Sequence, residues 1–310
     1  MNKQERVSAA IHGSQVDYVP YSMWYHFGTQ FMPGEKAADL VTGFYERFDL
    51  DFIKVMNDYS YPLPAGLDRI RTLDDWKRMK PAKPTEGGFA EQLKLLNVVA
   101  QRVKSEAFFV DTIFDPFYVA RRTAKDIIFD LLRSHPEEFK LGLEVITESL
   151  RNYVKAVLDT GAAGIYLAVN GASTDLLSKE EFQEFVKPYD LQVLEAAQEK
   201  GILNIVHIHG NNILFDDMLD YPVHVLSWEH LNTPPSFRDA RQKTDLCFMG
   251  GINEHLTSKF HPDELEAQVE TALQDTNGEK LILASGCSLP TDMPVELIDI
   301  ISRAVRKQRL

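Results

Sequence analysis

Cysteine is scarce in this chain: 310 residues hold only Cys247 and Cys287. Two thiols are too few for a disulfide framework and suit a reducing cytoplasm. Long apolar runs are missing too, and none approaches the roughly 18 residues of a membrane-spanning helix. The opening Met1-Asn2-Lys3-Gln4-Glu5-Arg6 lacks the apolar core of a secretory signal. The expectation is therefore a cytoplasmic protein that does not engage a membrane. Basic excess is absent: 33 Lys and Arg stand against 46 Asp and Glu, a formal charge of −13. That balance excludes the basic footprint of a nucleic-acid binder. It also makes a polyanionic ligand awkward unless arginines gather at its site. No internal repeat and no low-complexity linker breaks the chain, so residues 1–310 read as one domain. With 44% hydrophobic and 25% charged residues, the composition is that of an ordinary packed core.

What is present is a regular alternation. Apolar, β-branched or aromatic runs lie near 17–25, 51–57, 107–114, 164–169, 202–209, 223–228, 245–251 and 280–285. Several are almost continuously apolar, as strands covered on both faces are. Segments with helical spacing separate them. Pro136 opens one whose stripe of Leu141, Val145, Leu150, Val154 and Leu158 runs to Gly161. Ser178-Lys179-Glu180-Glu181 caps another, and Met293 to Val305 supplies the last. Eight strand–helix units over this length predict an α/β protein, a (β/α)8 TIM barrel. A doubly wound open sheet is the competitor, but it often carries a glycine-rich first turn, and none follows the first run here. Residues 60–105 exceed a simple crossover and are placed beside the barrel mouth.

Chemistry in such a barrel sits at the C-terminal ends of the strands. Those ends present His26, Asp58, Asp111 and Asp115, Asn170, His207 and His209, Glu229 and His230, Asn253 and Glu254, and Cys287. His207 and His209 are i and i+2 on one strand and so share a face. With a thiol at the end of the eighth strand they form a donor set suited to catalytic zinc, provided the fold brings them together. The competing readings are histidines that hold loops by hydrogen bonds and an inert buried thiol. Asp58 and Asp111 each interrupt an apolar run. A carboxylate inside a barrel mouth needs a partner, ligand or metal, and a salt bridge to Arg121 or Arg122 is the structural alternative. Cys247, within the seventh strand, reads as core.

Ordered motifs then carry a resemblance across nearly the whole chain. They are Tyr18-Val19-Pro20-Tyr21, Asn57-Asp58, Leu73-Asp74-Asp75-Trp76, Leu177 to Phe182, Phe185-Val186-Lys187-Pro188-Tyr189, His207-Ile208-His209-Gly210-Asn211, Leu226-Ser227-Trp228-Glu229, Gly250-Gly251-Ile252-Asn253 and Ser285-Gly286-Cys287 before Pro290. In these the chain resembles the uroporphyrinogen decarboxylase superfamily, which also contains the zinc-dependent corrinoid and coenzyme M methyltransferases. The resemblance implies the same (β/α)8 fold. The decarboxylase branch uses no metal. It carries an arginine-bearing motif after the first strand and an aspartate for the pyrrole N–H groups. Asp58 matches that aspartate, but Ser22 to Gln30 contains no arginine, and Cys287 replaces the branch's late histidine. The methyltransferase branch implies zinc held by His-x-Cys and a distant Cys. Here His207 and Cys287 match, and His209 replaces the middle cysteine. Two imidazoles and one thiolate leave the ion more positive than one imidazole and two thiolates would. This favours deprotonation of a bound thiol or water but weakens a bound thiolate as nucleophile.

The expectation is thus an enzyme of this family that transfers a methyl group to or from a thiol. His207, His209 and Cys287 would hold Zn²⁺. Asp58, Asp111 and Glu229 would take catalytic roles, and His26, Asp115, Asn170 and Asn253 would bind the substrate. A methylcorrinoid supplied by a partner corrinoid protein is the implied methyl source, and the chain is expected to be a monomer or homodimer. Metal-free decarboxylation of uroporphyrinogen or a smaller acid is the alternative, followed by non-catalytic tetrapyrrole or corrinoid binding.

Overall fold

Runs that are apolar on both faces can be satisfied only by a sheet covered on both sides, and this chain builds one. The computed structural model describes residues 1–103, 105–255 and 261–307. Its strands are β1 (Tyr21–Ser22), β2 (Phe52–Val55), β3 (Phe108–Phe114), β4 (Gly164–Val169), β5 (Ile205–Ile208), β6 (Val225–Trp228), β7 (Cys247–Ile252) and β8 (Leu281–Ser285). Each falls within or against one of the eight predicted runs. All ladders are parallel, in the order β1-β8-β7-β6-β5-β4-β3-β2. The two ends of that order meet. Asp51 donates its N–H to the Tyr21 carbonyl at 3.0 Å, and the Ser22 hydroxyl donates to the Phe52 carbonyl at 2.9 Å. The sheet closes as a (β/α)8 barrel.

Arg6 secures this seam from the helix Lys3–His12. Its Nη1 donates to Asp51 Oδ1 and its Nε to Asp17 Oδ1, both at 2.7 Å. Asp51 Oδ2 accepts the Tyr21 N–H at 3.0 Å. Arg6 and Asp51 are both buried, so each charge depends on the other.

Strand alternation decides what faces the axis. Phe52, Val110, Tyr166, Ile205, Val225, Cys247, Met249 and Ile282 pack together inside the barrel. Ile53, Phe109, Ile165, Val206, Leu226, Phe248 and Leu281 instead belong to the layer beneath the helices. Cys247 is core, as its sequence context suggests, and burial pushes its thiol up to about 12. The helix opened by Pro136 runs to Asp159. Ser178 caps Lys179–Phe185 with a reciprocal box to Glu181. The last helix begins at Glu296, not at Met293. Residues 60–105 contain the helices Leu73–Lys77 and Gly87–Val103. Among the described residues no helix is long and apolar enough to cross a membrane.

Candidate active site

His207 follows Ile205 on the inward face of β5, and His209 stands just past the strand's end. Their ring centroids are 5.8 Å apart. Gly210 turns the chain immediately afterwards at φ +124°, where a Cβ would lie 2.8 Å from that of Ser173. The thiol arrives from β8 through Ser285-Gly286-Cys287. A Cβ on Gly286 would stand 2.6 Å from Glu254 Oε2 and 3.0 Å from Glu229 Cα. The missing side chain lets the ends of three neighbouring strands approach. As a result, donor atoms of His207, His209 and Cys287 lie within 4.8 Å of one another. Bond lengths to tetrahedral zinc set donor separations of about 3.4–3.8 Å, a gap that small side-chain rotations close.

The chemical state of the donors suits a metal. His207 Nε2 is buried with no hydrogen-bond partner. Its Nδ1 meets Ser227 Oγ at 3.2 Å, and its ring stacks on Tyr166 at 5.6 Å. Orientation of one ring nitrogen by a neighbour, with the other left bare, is how metal-binding imidazoles are held. Burial lowers the pKa of His207, and burial together with the positive charge of Arg121 lowers that of His209, which favours the neutral rings a metal needs. Burial raises the Cys287 thiol, but His207, the Ser288 backbone and Lys54 outweigh it and bring the thiol down to about 7. Two neutral imidazoles and an easily formed thiolate fit Zn²⁺.

These donors form one wall of a cavity of about 370 Å³ at the barrel mouth. Lys54 forms another, and sequence reasoning passed over it. Burial, only partly offset by Cys287, Asp111 and Asp58, lowers its amine to about 7. Its Nζ lies 4.4 Å from the Tyr166 ring centroid and 5.0 Å from that of Trp24. Among the described residues its one hydrogen bond goes to Met56 Sδ at 3.5 Å, a weak acceptor. The signal was available: a lysine at an inward position of the apolar run Phe52-Ile53-Lys54-Val55-Met56.

The remaining expected residues divide. Asp58, His26 and Asn170 line the cavity. Asp58 is already engaged: Oδ1 meets His26 Nδ1 at 2.7 Å, and Oδ2 accepts from Gly28 N–H at 3.0 Å and Thr29 N–H at 3.2 Å. Burial raises its pKa, but His26 and Thr29 outweigh it and hold the carboxyl below its usual value. Neither Arg121 nor Arg122 is its partner.

Asp111 is the main correction, because it is not in the mouth. It takes the opposite parity from Val110 and Thr112 and sits beneath the helices, where Gln92 Nε2 at 2.7 Å and the Tyr153 hydroxyl at 2.9 Å donate to it. Burial pushes it up to about 7. Asp115 caps the helix Pro116–Ala124 through Tyr118 N–H at 2.7 Å and also accepts Asn170 N–H at 2.5 Å. Both its oxygens serve the backbone, and it is not among the cavity walls. Glu229 lies behind Gly286 with Glu254 and His255. Burial, then Glu254, raises it to about 8. Asn253 donates its N–H to Gln268 Oε1 at 2.9 Å and accepts His255 N–H at 2.9 Å, again outside the cavity walls.

The family model for uroporphyrinogen decarboxylase (URO-D) matches residues 2–308. The chain belongs to the URO-D family. Among curated relatives of this URO-D protein, the methylcobamide:CoM methyltransferase MtbA of Methanosarcina acetivorans is 22% identical over 46% of this chain and 42% of its own length. MtaA of Methanosarcina barkeri is 28% identical over 54% of this chain and 48% of its own. The matches thus span less than half the length of these methyltransferases. A uroporphyrinogen decarboxylase of Prochlorococcus marinus is 23% identical over 81% of this chain and 77% of its own. A solved methyltransferase from Methanosarcina mazei superposes with a TM-score of 0.83 at 20% identity, covering 99% of both chains. That likeness bears on the fold. Family members of both kinds are enzymes.

Proposed function

We propose that this URO-D family protein is a zinc-dependent methyltransferase acting on a thiol, with the methyl group carried by a corrinoid. The observation that carries the reading is the convergence of His207, His209 and Cys287 around the unpartnered Nε2 of His207. The likeness to methylcobamide:CoM methyltransferases supports the choice of reaction. Zinc held by these donors would supply the Lewis acidity that keeps a substrate thiol deprotonated at neutral pH.

The chain's own residues do the rest. Ser227 orients the His207 ring through Nδ1. Tyr166 and Trp24 wall the reacting region from water, and Lys54 sets positive charge against that of the Cys287 thiolate. Asp58 clamps the loop 26–29 at the rim and Asp115 holds the Asn170 N–H, so that His26 and Asn170 face an entering substrate from fixed positions. A corrinoid protein would dock over this same mouth. Metal-free decarboxylation is the weaker reading, because Ser22 to Gln30 offers no arginine for a polycarboxylate substrate and Asp58 Oδ2 already accepts from Gly28 and Thr29.

The test is methylcobalamin with a panel of thiols of differing size, followed by its visible spectrum. Zinc-loaded protein should demethylate the cobalamin, and zinc-free protein and Cys287→Ser should not. Zinc-loaded protein that leaves methylcobalamin unchanged with every thiol contradicts the proposal.

A further inference from the structure

A second chamber of about 170 Å³ opens beside the central cavity and shares Thr112, Phe114, Tyr118 and Arg122 with it. The Phe114 and Tyr118 rings, with centroids 4.9 Å apart, stand between the two. The inner walls of the chamber are aromatic and aliphatic. Phe89 stacks on Tyr153 with centroids 4.3 Å apart and meets Tyr61 edge-on at 5.6 Å, and Leu63 and Leu150 complete them. A cavity of about 150 Å³ holds a benzene ring, so the apolar end of this chamber has the size for a single ring or a branched alkyl group.

Its junction with the central cavity is cationic. Among the described residues Arg122 makes no ion pair, whereas the carboxylates nearby are engaged: Asp68 with Arg71 at 2.7 Å and Asp58 with His26 at 2.7 Å. Among the described residues Lys54, buried across the central cavity, has only a thioether to bond. In a chain of net charge −13, Arg122, exposed at this junction and without an ion pair among the described residues, offers an entering anion a cation.

We infer that the substrate is an amphiphilic acid. Its ring or branched alkyl body fills the side chamber, its anionic group lies against Arg122, and its reactive end points to His207, His209 and Cys287. This specifies a substrate larger and more apolar than a two-carbon thiol. It rests on the proposed reaction site, but the recognition of body and anion needs no metal, so it can be tested apart from that reading.

The test is calorimetric titration of metal-free protein with 3-phenylpropionate, with propionate (no ring) and with 3-phenylpropan-1-ol (no charge). Phenylpropionate should bind about tenfold or more tighter than either. Arg122→Gln should weaken it about tenfold by removing the cation, and Leu63→Trp should do so by filling the chamber. Thermal melting of each variant checks the fold. If Leu63→Trp is unstable, the three probes and Arg122→Gln still decide. Equal affinity for propionate and phenylpropionate, no binding of phenylpropionate, or undiminished binding to Arg122→Gln would overturn the inference.

Discussion

His207 and His209 show what a residue pattern alone can convey. Separation by two positions on a β-branched run places them on one face whatever the fold. Their readiness for a metal depends on Ser227, Tyr166 and burial, which come from other strands. The two cysteines make the same contrast. One lies within an apolar strand and the other just past the end of one, yet Cys247 is pushed up to about 12 and Cys287 drawn down to about 7. Metal-stripped protein should therefore react with iodoacetamide at Cys287 alone. The rate should climb with pH through about 7 as thiolate forms and then level off. His207→Ala should move that rise to higher pH. Mass spectrometry of alkylated peptides reads both effects, and equal labelling of the two thiols contradicts them.

Asp111 and Lys54 mark where strand patterns stop being informative. In β2 and β3 both faces are apolar, so alternation shows which residues share a face but not which face is inside. Lys54 proves to face the cavity and Asp111 the helices. The partners of Asp111 come from the helices Gly87–Val103 and Pro136–Asp159, contacts that no local spacing reveals. The pairing of Asp58 with His26 is likewise tertiary, although both were identifiable singly. At the same scale, Gly286 sets how closely β8 approaches the ends of β6 and β7. Gly286→Ala should force these ends apart, costing about 1–3 kcal/mol of stability and weakening zinc binding by displacing the adjoining Cys287. Thermal melting and competition with a zinc chelator measure the two effects; unchanged values for both would refute this role.

For the whole molecule, closure of the barrel is what turns positions 207, 209 and 287 into neighbours. The eight runs predicted the strands and hence the architecture, because a near-continuous apolar strand demands cover on both faces. The seam was not legible: Arg6 and Asp17 read as ordinary polar residues of the N-terminal segment, and only the fold joins them to Asp51. Arg6→Ala would leave Asp51 buried without its cation and should destabilise the protein by about 3–5 kcal/mol, measured by urea unfolding. A change under about 1 kcal/mol, the range of an exposed pair, would show that the seam does not depend on it.

Zinc analysis of the purified protein, before and after stripping and reloading, tests the central claim most directly. One zinc per chain is expected, lost or bound far more weakly in Cys287→Ser and in His207→Ala. A chain that neither carries zinc nor takes it up, or variants that keep it unchanged, would contradict the account.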